Sequence, residues 1–521
     1  MNKFQAMMVS VMLAATSTTA QAGGILTNTN QSIDFLRNPA RDAAIGLDGV
    51  YYNPAGVAFM PDGLHLGFNW QYAHQTRTIT STDDYFALGK KNNGQTTKVY
   101  EGVADAPFIP SIQAAWNKGD WSVQFNFSIP SGGGSCEFEN GLGSFERKVG
   151  EIAAKFMGLD LMANTLNGVT GAGITDNLVT GYNMDSYMEG RQYYFGFQLG
   201  TAYKIDPKVS VYGGLRVLYG TATYKARISN IQVRTENGDL DFGSFLPHVS
   251  KQVTEMMPVA SQVLGQLQQK ETAGLPLNQQ EMTLKSSIEG LAASQQSGEL
   301  NSLAKYSSGV NLLCNQWSVG VAPIVGVDYK LNDHFNFAAK YEFKTQIRMK
   351  NESTVFEASE IEAVNKFKDE EKVNEDVPAM AAVGAQWTPV KEVRINAGGH
   401  YYFDKQAEWY GNAQHKLDHN SYEILAGAEW DVTDRLTISV GGQLTRYGLT
   451  DEYMNDMSFV VNSYSIGFGG NYKATDRLTL KAGFFQTEYG NYERKDYPTE
   501  GVSDTFTRTN RVLGVGCELS L

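Results

Sequence analysis

A short unit recurs six times along the chain, and it restricts the fold more than any other feature. Trp430 to Gly442 (WDVTDRLTISVGG) and Tyr472 to Gly483 (YKATDRLTLKAG) each run an alternating strand into a polar turn and out into a second alternating strand. Trp116 to Phe125 (WNKGDWSVQF), Tyr203 to Gly213 (YKIDPKVSVYG), Tyr329 to Ala338 (YKLNDHFNFA) and Trp387 to Ala397 (WTPVKEVRINA) repeat the pattern. An aromatic ends each incoming strand, and Asn, Asp, Gly, Pro or Lys fills the turn. Those residues tolerate or fix turn dihedrals. Short turns of one kind at this spacing describe a long antiparallel meander whose hairpins all reverse at one end.

The alternation separates two faces. Phe335, Phe337, Ala339, Tyr341 and Phe343 share one, with Asn336, Lys340, Glu342 and Lys344 between them. Val393, Ile395, Ala397, Gly399, Tyr401 and Phe403 interleave likewise with Arg394, Asn396, His400 and Asp404. A soluble sandwich shows the same alternation, so the pattern alone does not choose a solvent. Two further features do. The aromatics Trp116, Tyr203, Tyr329, Trp387, Trp430 and Tyr472 all fall on the apolar face, as an interfacial girdle would. Residues 1–22 combine Lys3, the apolar stretch Ala6 to Ala15 and the small-residue site Ala20-Gln21-Ala22, which is the pattern of a secretory signal peptide. After Ala22 no apolar run approaches the about 20 residues of a spanning helix. A strand-rich exported chain of this kind fits a β-barrel of a Gram-negative outer membrane.

Length and charge are consistent with that reading. The 521 residues contain no Pro/Ser-rich linker, and one large barrel with long loops accommodates them. A net charge of −13 argues against nucleic-acid binding. Mean hydropathy of −0.32 is compatible with a membrane location, because half of each strand faces a polar lumen. Three cysteines allow at most one internal disulfide. Cys136 and Cys314 lie near the loop ends of their strands and either meet or stay free; Cys517 sits on the apolar face of the last strand.

Residues 23–62 break every periodicity and read as a compact plug ahead of the barrel, which occupies 63–521. Strands are expected near 64–80, 109–118, 120–130, 187–205, 208–233, 309–331, 334–350, 375–388, 392–410, 420–432, 435–448, 460–474, 477–493 and 506–521. That count of fourteen is even, so both termini lie on the short-turn, periplasmic side and the long loops face outside. Two long loops carry helical apolar stripes. One is Phe145, Val149, Ile152, Phe156, Leu159 and Leu161; the other is Val249, Val253, Met256, Ala260, Val263 and Leu267, followed by a second helix near Glu281 to Leu303. Such stripes either pack on each other as a lid or leave a greasy groove for ligand.

No motif for a nucleotide, a cofactor or a metal is present. His415 and His419 are four apart but in a short polar loop, and His400, Asp404 and Glu423 share the lumen without a nucleophile placed beside them. The chain does not read as an enzyme.

Asp42-Ala43-Ala44-Ile45 through Asp48-Gly49-Val50-Tyr51-Tyr52-Asn53-Pro54-Ala55-Gly56 resembles the N-terminal hatch of the FadL family of outer-membrane transporters for long-chain fatty acids and related hydrophobic compounds. Its hallmark triplet, Asn53, Pro54 and Ala55, closes the plug just before strand one, whereas Asn38-Pro39-Ala40 stands too early and is set aside. Ile129-Pro130-Ser131-Gly132-Gly133-Gly134 resembles the family's interruption after strand three, where a kink opens the wall. Pro130 removes a ladder donor, and Gly132, Gly133 and Gly134 remove side chains, so pairing should fail there. The chain departs from the family in ending Leu519-Ser520-Leu521 rather than in an aromatic.

The resemblance implies an all-β, fourteen-stranded transmembrane barrel with an N-terminal plug and partly helical external loops. It implies passive uptake of a fatty-acid-like ligand by capture at the loops, passage to a plug-gated pocket and lateral exit at the kink. Expected partners are the ligand, membrane lipid and lipopolysaccharide, with the chain a monomer. In the family the mature N-terminus lies near the ligand, which brings forward Ile25 and Leu26. Arg216, Lys344, Arg394 and Lys481 face the lumen by phase and are either head-group ligands or members of salt bridges. A receptor or adhesin barrel and a general diffusion pore are the rival readings.

Overall fold

Four of the six repeated turns use one device. Asp206, Asn332, Thr433 and Thr475 each bend a side-chain oxygen back to accept the backbone N–H groups two and three residues on, at 2.7 to 3.2 Å. Short polar side chains that satisfy the turn backbone themselves are the local reason these segments reverse. The structure is a computed structural model that describes residues 27–296, 309–356 and 365–521. The leader read at 1–22 lies outside the described residues.

Fourteen staves follow. They are β1 Gly63–Thr82, β2 Thr97–Lys118, β3 Trp121–Phe138, β4 Val179–Lys204, β5 Val209–Thr235, β6 Val310–Lys330 and β7 Phe335–Glu342, which resumes as Arg348–Ser353. Next come β8 Met380–Val390, preceded by Lys372–Asn374, then β9 Val393–Tyr402, β10 Tyr422–Asp431, β11 Leu436–Arg446 and β12 Ser463–Lys473. β13 Leu478–Tyr489 is extended by Tyr492–Arg494, and β14 is Ser503–Ser520. Each stave pairs antiparallel with the next, and β14 pairs with β1 from His65↔Ser520 to Thr82↔Ser503, so the sheet closes. Leu64 and Leu521 exchange two backbone hydrogen bonds at the short-turn end, where the barrel begins and finishes.

The barrel is apolar outside and polar inside. On β6, Val319, Val321, Val325 and Val327 are exposed while Gln316, Ser318 and Asp328 on the alternate face are buried. The six girdle aromatics are each between 38 % and 51 % exposed, at the short-turn rim. A wall of this kind is stable against lipid, not against water. No helix among the described residues is long and apolar enough to cross a membrane; the apolar surface belongs to the strands.

Several strands run past their expected ends. β2 starts at Thr97 rather than near 109, β3 continues beyond Pro130 to Phe138, and β4 starts at Val179. In these extensions Glu101 and Asp105 interrupt the outward apolar face while Tyr100, Phe138 and Tyr182 are buried on the inward one, so the polar-inside, apolar-outside contrast that marks the other strands disappears.

Three helices cover the outer end: α1 Gly143–Thr170, α2 Phe242–Thr272 and α3 Gln279–Gln296. Their stripes share one core, with the Phe156 ring 5.9 Å from Phe242 and 5.3 Å from Phe245. The predicted stripes, Leu161 excepted, are therefore consumed by packing on one another. Leu161, Val169, Leu275 and Met282 stay exposed on the outside of this cap.

Candidate functional site: a plug, a cavity and a break in the wall

Residues 27–60 lie inside the barrel. Ile33, Phe35, Leu36, Val50, Ala55 and Val57 are all buried, and Phe35 packs on Tyr52 at 5.3 Å and on Phe485 of β13 at 5.6 Å. Close seating depends on wall glycines: a Cβ at Gly467 would stand 2.0 Å from the Leu36 carbonyl oxygen. The triplet Asn53-Pro54-Ala55 is a three-point tether. Asn53 Nδ2 donates to Asp328 on β6 at 2.6 Å, the Pro54 carbonyl accepts from Gln124 on β3 at 2.7 Å, and the Ala55 carbonyl accepts from Ser210 on β5 at 2.7 Å. The earlier triplet, set aside on sequence, is a second seat. Asn38 is fully buried, and Gly427 and Gly441 leave the space that Asn38 and Pro39 occupy.

Ions fasten the rest of the plug. Arg41 binds Asp48 at 2.7 Å and Glu429 of β10 at 2.9 Å, and Arg37 binds Asp34 at 2.7 Å and Glu429 at 2.9 Å. Burial acts to raise the Asp34 carboxyl, but Lys481, Arg37 and Arg41 outweigh it and hold the group well below the usual carboxylate range. His400 bridges the plug to the wall, 2.9 Å from both Asp42 and Glu423. Asp404 does not join that cluster. It accepts the Ser421 N–H at 2.8 Å, and burial pushes its carboxyl up to about 6 against that bond.

The four lumenal cations marked by phase all have carboxylate partners. Arg216 pairs with Glu342 at 2.5 Å, Lys344 with Asp376 at 3.2 Å, Arg394 with Asp431 at 2.7 Å and Lys481 with Asp34 at 2.5 Å. Arg216 also lies 4.6 Å from the Tyr51 ring of the plug and so links the wall to it. All three cysteines are free.

Beside the plug the wall is incomplete. β2 and β3 pair from Lys118↔Trp121 to Ile112↔Phe127, then not again until Val103↔Glu137. On the β3 side stand Pro130 and Gly132; at φ +81°, with a Cβ that would meet the Gln192 carbonyl at 2.0 Å, position 132 requires glycine. Gly133 and Gly134 follow in the same stretch. On the β2 side stand Pro107, ahead of the expected strand start at 109, and Pro110, just inside it. The signal was present as the dipeptide spacing Asp105-Ala106-Pro107-Phe108-Ile109-Pro110, with two residues unable to donate to a ladder. Gln31 of the plug completes the exposed edge: its side chain accepts from the Ile129 N–H at 3.1 Å and donates to the Ile129 carbonyl at 3.0 Å.

A cavity of about 270 Å³ adjoins the break. Thr27 to Gln31 of the plug border it, as do Pro130, Gly132 and Gly134 of the kink and the apolar side chains of Phe138, Leu142, Met188 and Phe459. Ile25 and Leu26 lie outside the described residues; Thr27, the first described, is on the cavity wall.

No protein-family model and no curated protein sequence matches the chain. Solved structures do. A FadL homologue of Pseudomonas aeruginosa aligns over 95% of this chain and 99% of its own at TM-score 0.56 and 11% identity. The toluene transporter TodX of P. putida aligns over 97% of this chain and 99% of its own at TM-score 0.51 and 12% identity. A TodX variant, described as a monoaromatic hydrocarbon channel, aligns over 93% of this chain and 98% of its own at TM-score 0.52 and 12% identity. A likeness of this extent at such low identity is one of architecture, and the architecture is the FadL-family fold.

Proposed function

We propose that this protein is a passive channel of the Gram-negative outer membrane for hydrophobic small molecules. Ligand is captured at the apolar rim of the helical cap, enters the cavity beside the plug and leaves sideways through the break between β2 and β3. One barrel encloses the whole path, so the working unit is a monomer. The observation that carries the reading is the shared border: Pro130, Gly132 and Gly134 belong both to the cavity lining and to the stretch where the β2–β3 ladder is absent. Downhill transfer is sufficient, because each buried methylene gains about 0.8 kcal/mol in an apolar site. A general diffusion pore is disfavoured by a lumen tied shut through Asn53, Arg41 and His400.

A cross-link tests the exit. A Cβ at Gly134 would lie 3.5 Å from that of Ala104, within disulfide reach. In a Cys136→Ser background, Ala104→Cys with Gly134→Cys should abolish uptake of a fluorescently tagged dodecanoic acid by deletion-strain cells when oxidised, and reductant should restore it. Equal uptake in the oxidised and reduced states would refute lateral exit. Sugar-driven swelling of proteoliposomes would favour an open pore instead.

A further inference from the structure

Among the described residues, most charges that face the lumen have an ion partner; Arg77 and Arg508 in the cavity have none. Arg77 on β1 and Arg508 on β14 are direct register partners across the seam where the sheet closes. Both line the cavity, and among the described residues no carboxylate pairs with either. The Arg77 guanidinium lies 5.8 Å from the Phe459 ring, and that of Arg508 lies 5.0 Å from the Tyr489 ring. Arg508 makes one long bond to Gln75 Oε1, at 3.4 Å, and its buried Nε has no hydrogen-bond partner. Like charges directly opposite on neighbouring strands oppose folding, and burial strengthens the repulsion. Elsewhere in this lumen the same problem is solved by a carboxylate, as at Arg216–Glu342 and Lys481–Asp34. At the seam no described residue supplies the counter-charge.

Around the pair the surface turns apolar: Phe138, Leu142, Met188 and Phe459 lie along the same cavity. Two guanidiniums beside a greasy wall match an amphiphile with a charged head. Guanidinium forks also fit the planar or tetrahedral oxygens of a carboxylate or phosphate.

We propose that Arg77 and Arg508 together form an anion site that holds the head group of the transported molecule, so that the channel selects anionic amphiphiles over neutral hydrocarbons. The inference rests on the uptake reading above and specifies its ligand. The head is a carboxylate or a phosphate monoester on an alkyl chain, two sources of one chemistry.

Isothermal titration of the full-length protein in lipid nanodiscs, with empty nanodiscs as blank, separates the outcomes. Wild type should bind dodecanoate or dodecyl phosphate roughly tenfold or more tighter than dodecan-1-ol, the scale of a charge-assisted bond. Arg77→Gln and Arg508→Gln should each reduce that preference, and the double variant should bring it close to unity. The tighter of the two anions identifies the head. Equal binding of acid and alcohol by wild type would overturn the anion site while leaving the uptake reading in place, and so would a preference that survives the double substitution. Binding of none of the three by wild type would overturn the uptake reading itself. The wild-type comparison needs no variant to fold.

Discussion

Replacing Glu429 with glutamine is expected to loosen the plug without opening the barrel. Glu429 points inward from β10 with 7% side-chain exposure, and its carboxylate lies 2.9 Å from both Arg37 and Arg41 of the plug. Its other oxygen accepts from Arg394 at 3.1 Å. Leaving a buried charge with no partner would cost about 3–5 kcal/mol. Here that penalty does not apply, since Arg37 keeps Asp34 and Arg41 keeps Asp48. What disappears is the charge on a shared acceptor. Hydrogen bonds to charged groups contribute about 1.5–3 kcal/mol and neutral ones about 1, so the plug seat weakens by about 2 kcal/mol. That corresponds to roughly a thirtyfold larger undocked population. Amide exchange follows the open population when closing is fast, so mass spectrometry on peptides from 33–58 should show a matching acceleration. Strand peptides from β10 and β11 should hold their wild-type rates. Plug exchange within about threefold of wild type would refute the reasoning, and so would equal acceleration of plug and strands.

Three further outcomes follow from the same geometry. Asn53→Ala removes the 2.6 Å bond to Asp328 and should weaken plug docking by about 1–3 kcal/mol; the expected result is protease sensitivity near residue 53 with normal heat-modifiable barrel on gels. Gly467→Val drives a side chain into the Leu36 carbonyl, an overpacking of about 1–3 kcal/mol against backbone that cannot turn away, and should raise single-channel conductance as the plug is displaced. The folded-state value of about 6 for Asp404 lies above the usual 3.9 of an unfolded aspartate. Its stabilising contribution to the loop between β9 and β10 is therefore full below about pH 4 and is lost as pH rises through about 6. Exchange of residues 403–421 should accelerate over that window, and Asp404→Asn should flatten the profile.

Much of the architecture was legible because its period is short. Turn chemistry at Asp206, Asn332, Thr433 and Thr475 and the alternation within each band-level strand are local, so six hairpins and fourteen strands could be read from neighbours in sequence. What escaped depends on closure. The match of Gly467 to Leu36, and of Gly427 to Asn38, joins residues from opposite ends of the chain, and no local pattern marks either. The lumenal cations could be assigned a face but not a partner, because partners are set by register across several strands. Arg77 and Arg508 become neighbours only when the last strand meets the first. The wall break was half legible: Pro130 and its glycines announced one edge, while the opposing prolines sat in a stretch that mixes polar and apolar residues on both faces.

The amide of Gln31 has a consequence beyond local bonding. One flexible group from the stopper serves both backbone poles of Ile129, so the hatch and the side window share a single bolt. Such linkage is reciprocal: a guest that pushes Ile129 aside must loosen the hatch by the free energy with which the hatch resists it. Occupancy at the window would then be felt at the periplasmic face, and a pull on the hatch from that side would in turn ease release into the bilayer.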